Sequence, residues 1–403
     1  MVYKILQSYK VAFSGLSRET WLLSAVILIN RCGYMAVPFM SMYLTQSLHR
    51  SIADAGLVIT LFGVGSVLGA MAGGYVTDKW GFRPVQIISL LVSGMLFVLF
   101  SFVTDFTGIC VLILVLSFFV EAFKPANNTA VASYSLPVNL TRSYALNRLA
   151  MNIGFGFGTS AGGILAAIDY GLLFWVDGLV YILAGLLITL LLPEGRKISK
   201  NAHEVSQSAG QSPWKDAYFV RFLMLVTMYM ICFVLLFRLV PVYWKEEMHI
   251  GESTIGMLLG MNGIIIALFE MVIIQNFAHR KPDSFFIISG TVFSALAFLA
   301  LVVPAVMPLV PAAVAVLLFT AGEMLALPYI STFVISRASE MNRGKYSAAY
   351  SVSQAAASII GPAAGGFIAA NWGYDVLWLA LVLLSFGCAL GFRFLFQSSV
   401  RLG

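Results

Sequence analysis

The sequence predicts an all-α membrane protein: twelve transmembrane helices arranged as two pseudo-symmetric six-helix bundles. Three observations carry this. Of 403 residues, 60% are hydrophobic and 10% charged, with a mean hydropathy of +0.91; an ordinary soluble domain runs near ~25% charged. Apolar runs long enough to span a bilayer, at ~20 residues each, recur twelve times along the chain. A constant offset of 203 residues pairs Pro125 with Pro328, Gly158 with Gly361, Ala161 with Ala364, Gly162 with Gly365, Gly163 with Gly366 and Trp175 with Trp378. A chain whose two halves repeat in parallel is built to rock around a central site.

The elements follow in order. Residues 2–13 place Val2, Ile5, Leu6, Tyr9 and Phe13 on one helical face opposite Lys4 and Lys10, which predicts a helix lying in the interface. The spans are then 19–44, 54–76, 85–103, 108–135, 143–167, 172–193, 219–244, 253–276, 284–303, 309–336, 346–369 and 375–396. The first begins near Trp21 and runs too long for a cleavable signal. The fourth is among the longest, and Pro125 predicts a kink within it. The one long hydrophilic stretch, 194–216, is a cytoplasmic linker, so the domains are 1–193 and 217–403.

Charge placement tests the scheme and orients it. Of the 24 Lys and Arg, all but Arg50, Lys245 and three residues within spans fall on the side of the N-terminus. That bias places both termini in the cytoplasm. The net charge of +6 therefore reflects topology, and no basic cluster interleaved with aromatics points to nucleic acid. Cys32, Cys110, Cys232 and Cys388 lie in apolar stretches and read as packing residues, with neither a disulfide nor a metal site expected. No nucleotide cradle and no nucleophilic arrangement is present, so neither an enzyme nor an ATP-driven pump is expected, and no cofactor.

Between spans two and three the chain reads Gly74-Tyr-Val-Thr-Asp78-Lys79-Trp-Gly81-Phe-Arg83. This resembles the signature loop of the major facilitator superfamily, with Pro84 where the family often has a further basic residue. The resemblance covers essentially the whole chain. Gly74 would allow close helix approach, Gly81 a tight reversal, and Asp78 would accept backbone N–H groups at the start of span eleven, around Arg343 to Tyr346, with Arg83 steadying the carboxylate. Span eleven carries Gly361-Pro362-Ala-Ala-Gly365-Gly366, similar to the Gly-Pro-x-x-Gly-Gly motif of drug and metabolite antiporters; span five has Thr159 in place of the proline. Gly158, Gly361 and Pro362 are thus gating candidates, with close packing alone the equal alternative.

Charge inside a span costs several kcal/mol unless it is paired or wet, so it marks function. Arg31 lies in span one, Glu121 and Lys124 in span four, Arg238 in span seven, Glu270 in span eight and Glu323 in span ten. Glu121 and Lys124 share a helix face and can neutralise one another. The resemblance implies that spans one, four, seven and ten line the central cavity. Lys124-Pro125-Ala-Asn127, Gly322-Glu323 with Pro328, and Arg31 with Tyr34 also resemble parts of the proton-coupled oligopeptide transporters, although Asn30 stands where their proton-handling glutamate would be.

These readings together suggest a proton-coupled secondary active transporter of a small amphipathic or zwitterionic solute, acting as a monomer in a bacterial plasma membrane. Glu323 or Glu121 would carry the proton; Arg31, Tyr34, Lys124, Arg238 and Glu323 would meet the solute. Export of drugs or metabolites is favoured, with peptide-like uptake as the alternative. A non-transporting receptor or scramblase is the reading from another class.

Overall fold

The computed structural model describes residues 15–136, 139–193, 212–277, 281–303, 307–337 and 343–400. The interfacial helix expected at 2–13 and linker residues 194–211 lie outside the described residues. Among the described residues the chain is helical, and eleven helices are long and apolar enough to cross a membrane. The last, Arg343–Val400, is two helices meeting at Gly373, whose φ of 84° only glycine adopts freely. Counting both arms gives the twelve spans expected.

Two spans are broken where continuous helices were expected. Span one is Arg18–Cys32 followed by Ala36–Met42 and a π turn over Tyr43–Ser47. Span seven is Ala217–Arg238 followed by Val240–Glu246. The cause is proline: Pro38 and Pro241 each lack an N–H and crowd the carbonyl four residues back. They are themselves 203 residues apart, so the repeat extends to the breaks. Span four, Phe106–Tyr134, runs as one helix across Pro125.

The contacts divide the chain into two compact units. One comprises Met1–Leu48, Leu61–Ile198 and Gly251–Ala267; the other His49–Thr60, Ser199–Ile250 and Leu268–Gly403. Each is mainly one half of the sequence plus the opening turns of a helix from the other half. Six-helix domains bounded at 193 and 217 remain our proposal for the division of the sequence.

In the first unit, small residues let backbones approach where lipid supplies no hydrophobic drive between helices. Gly69 and Gly73 of span two press on span four: a Cβ at Gly69 would lie 2.7 Å from Phe118 Cα, and one at Gly73 2.6 Å from Ala122 Cα. Gly94 and Gly178 do the same for spans three and six, each built Cβ falling within 2.8 Å of the other's carbonyl. Ser17 caps span one and donates to the Tyr134 carbonyl at 2.6 Å, tying the start of span one to the end of span four.

The same unit explains why Gly251–Ala267 belongs to it. Gly256 of span eight meets Gly163 of span five, and a Cβ at Gly256 would fall 2.6 Å from Gly163 Cα. Tyr170 donates to Glu252 at 3.1 Å beside that crossing, and its phenol is pushed up by burial and by the adjoining carboxylate. The second unit repeats the device with the opening turn of span two: Gly56 crosses span eleven with Gly366 Cα 3.2 Å and the Pro362 carbonyl 2.8 Å from its would-be Cβ.

Elsewhere the second unit is packed by aromatics. Phe219, Phe222, Tyr346 and Phe392 are buried together, with Phe286 stacked on Tyr329 at 4.2 Å. Asp216 caps span seven through Phe219 N–H at 3.1 Å and accepts from Arg337 Nε at 2.9 Å and the Tyr346 hydroxyl at 3.3 Å. Arg337 stands 203 residues beyond Tyr134, so each half clamps the start of its first span to the end of its fourth.

Candidate functional site

In the first unit the predicted residues gather on spans one, four and five. Arg31 sits in the last turn of Arg18–Cys32, where the partially negative helix end favours a cation. Its guanidinium carbon lies 5.2 Å from the centre of the Tyr34 ring, within cation–π range, and Nη2 lies 4.0 Å from Met151 Sδ. Gly154 and Gly158 of span five make room for it: a Cβ at Gly154 would fall 2.6 Å from Arg31 Cβ, and one at Gly158 2.9 Å from the Arg31 carbonyl. Span five thus has two glycine faces. Gly154, Gly158 and Gly162 serve span one, while Gly156 and Gly163 serve span eight.

Glu121 and Lys124 form the ion pair their spacing suggested, Oε2 to Nζ 2.6 Å, with the acid side chain 10% exposed and the lysine 51%. Burial of one partner beside exposure of the other leaves a cation reaching outward from a shielded carboxylate. Asn127 lies one turn further on and donates to Asn147 Oδ1 of span five at 3.1 Å. Asn127 Oδ1, Asn147 Nδ2 and Asn30 Nδ2 are buried without a hydrogen-bond partner among the described residues. Asn147 stands beside Arg148 near the start of span five, where no sequence pattern marks it.

In the second unit Arg238 is the last residue of Ala217–Arg238, at the break in span seven, and repeats the placement of Arg31. Glu323 is half-buried on span ten and acts electrostatically on the fully buried Tyr229 of span seven. Glu270 is 6% exposed on span eight.

The gating candidates separate. Gly81 has φ 88° between spans two and three, the reversal expected of it. Arg83 donates to the Thr189 carbonyl at 2.8 Å, at the end of span six. Asp78 lies in the last turns of Ile52–Trp80, and its side chain is outside the described residues. Gly74 is not where the helices come closest: a Cβ there meets Pro125 Cβ at 4.0 Å, ordinary contact, and Gly73 makes the close approach instead. Gly158 packs within the first unit, and Gly361 has Ile231 no nearer than 3.6 Å. Gly158 thus lies at the crossing of spans five and one, and Pro362 meets Gly56 of span two through its carbonyl.

Asp177 of span six is a further buried acid. It is 0% exposed and accepts backbone N–H groups of Met35 and Ala36. An aspartate in an apolar run is itself the signal that would have found it. A cavity of about 490 Å³ between spans seven and twelve is lined by Arg221, Met224, Met228 and Phe394, and neither Arg238 nor Glu323 lines it.

Comparison with known proteins agrees with this architecture. The profile of the Major Facilitator Superfamily matches residues 22–358. An uncharacterized MFS-type transporter, YqjV of Bacillus subtilis, is 25% identical over 337 residues, covering 82% of this chain and 81% of its own. A Na(+), Li(+), K(+)/H(+) antiporter of Planococcus maritimus is 24% identical, over 92% and 93%. The quinolone resistance protein NorA of Staphylococcus aureus is 21% identical, over 67% and 69%. Among solved structures, a mutant of the nucleoside transporter NupG superimposes with a TM-score of 0.80 at 17% identity, over 94% of this chain and all of that one. A POT family transporter in complex with 5-aminolevulinic acid gives 0.77 at 12%, over 94% and 96%. With the profile spanning most of the twelve helices, the chain belongs to the Major Facilitator Superfamily, whose members are membrane transporters and not enzymes.

Proposed function

We propose that the chain is a proton-coupled secondary transporter of a small organic solute bearing a negative group, working as an exporter in a bacterial plasma membrane with both termini in the cytoplasm. The observation that carries this reading is the set of ionisable side chains inside spans one, four, seven and ten. Such groups are costly in a bilayer and are kept where a proton or a charged solute needs them. Arg31, Lys124 and Arg238 outnumber Glu121 and Glu323, which favours a carboxylate-bearing solute over a lipophilic cation. Glu121 is paired with Lys124 at 2.6 Å, and Glu323 has no basic residue one helical turn away along span ten, which favours Glu323 as the proton carrier. Export is supported by relatives named as an H(+) antiporter and a quinolone resistance protein. Uptake of peptide-like solutes is the second reading, favoured by the local likeness around Lys124, Pro125 and Glu323.

The test is transport into proteoliposomes under an imposed pH gradient, with a zwitterionic quinolone, dialanine and tetraethylammonium as probes. A carboxylate-bearing probe should be concentrated and should itself drive proton flux. Glu323→Gln should abolish accumulation while leaving exchange across equal concentrations. Accumulation by the variant would remove Glu323 from the mechanism. Preference for tetraethylammonium would remove the anionic solute, and the absence of solute-driven proton flux would favour the non-transporting reading.

A further inference from the structure

Asp177 is a fully enclosed acid that the transport assignment leaves unused. Both of its oxygens face the break in span one. Oδ1 accepts from Met35 N–H at 3.0 Å, and Oδ2 accepts from Met35 at 3.1 Å and from Ala36 at 2.8 Å. Those two amides open the Ala36–Met42 segment, and a helix start leaves its first N–H groups without a carbonyl one turn back. Gly33 lets span six come close enough to supply the carboxylate, since a Cβ there would lie 2.6 Å from Val180 Cγ1.

On the other side of the same break stand Arg31 and Tyr34, the guanidinium over the ring. Tyr181, one turn beyond Asp177 and 3% exposed, lies in the field of Arg31, Asp177, Tyr34 and Glu121. One carboxylate from span six therefore anchors the start of the second segment of span one, at the break that Pro38 imposes and beside its charged and aromatic side chains. An amide at this place would offer one acceptor oxygen and turn its NH2 toward an N–H, leaving a buried donor unmet.

We infer that Asp177 is a positioning residue for solute recognition: it holds the break in span one and thereby aims Arg31 and Tyr34, without touching the solute. This rests on the reading that Arg31 and Tyr34 meet the solute. It adds a residue on span six to the recognition residues proposed on spans one and four of the same unit.

The test uses the full chain in proteoliposomes and two readouts. The first needs no solute: hydrogen exchange over residues 33–42, which should be about tenfold faster in Asp177→Asn, with spans seven to twelve unchanged. The second is the KM for the zwitterionic quinolone, which should rise by about tenfold while kcat holds within about twofold. Asp177→Glu, keeping the charge, should restore part of the loss. Asp177→Asn combined with Arg31→Gln should be no worse than Arg31→Gln alone, because the two act in series. Should Asp177→Asn fail to accumulate, Gly33→Ala perturbs the same break from span one and should raise KM alike. Faster exchange with an unchanged KM would overturn the inference and leave a purely structural cap. Unchanged exchange would overturn the hold itself. An unchanged KM in Arg31→Gln would sink the functional reading of Arg31, and the positioning role with it, while the exchange data still decide what holds the break.

Discussion

A single methyl group at Gly256 tests the crossing of spans five and eight. Built there, a Cβ falls 2.6 Å from Gly163 Cα and 2.5 Å from the Thr159 carbonyl, whereas ordinary Cβ contacts begin near 3.4 Å. About 0.8 Å of overlap must be relieved by moving backbone, since neither neighbour is the tip of a flexible side chain. Overpacking of this kind costs about 1–3 kcal/mol, offset by at most ~1 kcal/mol of better helix propensity. Gly256→Ala should therefore lose about 1–2 kcal/mol. Gly366→Ala should lose less, because its Cβ would meet Gly56 Cα at 3.1 Å. Gly387→Ala is the control: nothing lies within 4 Å of its Cβ, so it should be neutral or slightly stabilising. Melting of the purified protein followed by tryptophan fluorescence reads the ranking, at about 2–4 °C per kcal/mol for a unit of this size. If Gly387→Ala proves as damaging as Gly256→Ala, close approach is not why glycine stands at these crossings.

Two further outcomes follow from charge. Lys124→Met strips Glu121 of its partner at 2.6 Å and should cost about 1–2 kcal/mol, less than a fully buried pair because the lysine is half exposed; the double variant Glu121→Gln/Lys124→Met should recover most of that melting temperature, and additive losses would show the pair to be uncoupled. Asp216 is pushed up by burial but held below the usual carboxylate range overall, chiefly by its hydrogen bonds from Arg337 and Phe219 N–H. A carboxyl lowered in the folded state contributes stability that is present above its unfolded value of about 3.9 and is lost as pH falls through the folded value. The melting difference between the parent and Arg337→Gln should accordingly be full at pH 7 and shrink below about pH 4, and a difference that grew on acidification would refute the assignment.

How much of this was legible before folding depended on the range of the interaction. Glu121 and Lys124 are three residues apart on one helix, so helical geometry alone brings them together. Gly81 announced its turn because only the turn needs that backbone conformation. Asp177 and Met35 are 142 residues apart, and no local pattern links a carboxylate in span six to two amides in span one. The choice of Gly73 over Gly74 for the close approach depends on the rotation of span two against span four, which one residue changes by about 100°.

The twelve spans and the two-fold repeat are legible from residue order alone. A bilayer admits only segments that satisfy their own backbone, so length and apolarity suffice to find them. The sequence also contained the paired prolines, Pro38 and Pro241, that interrupt the first span of each half. Which groups surround those interruptions, and which glycines face which neighbour, came from the folded arrangement alone. In a membrane the helices are already formed and already apolar, so their mutual arrangement rests on close packing and buried polar contacts. Those depend on pairs of residues far apart in the chain: Gly163 with Gly256, Gly56 with Gly366, and Asp177 with the amides of Met35 and Ala36.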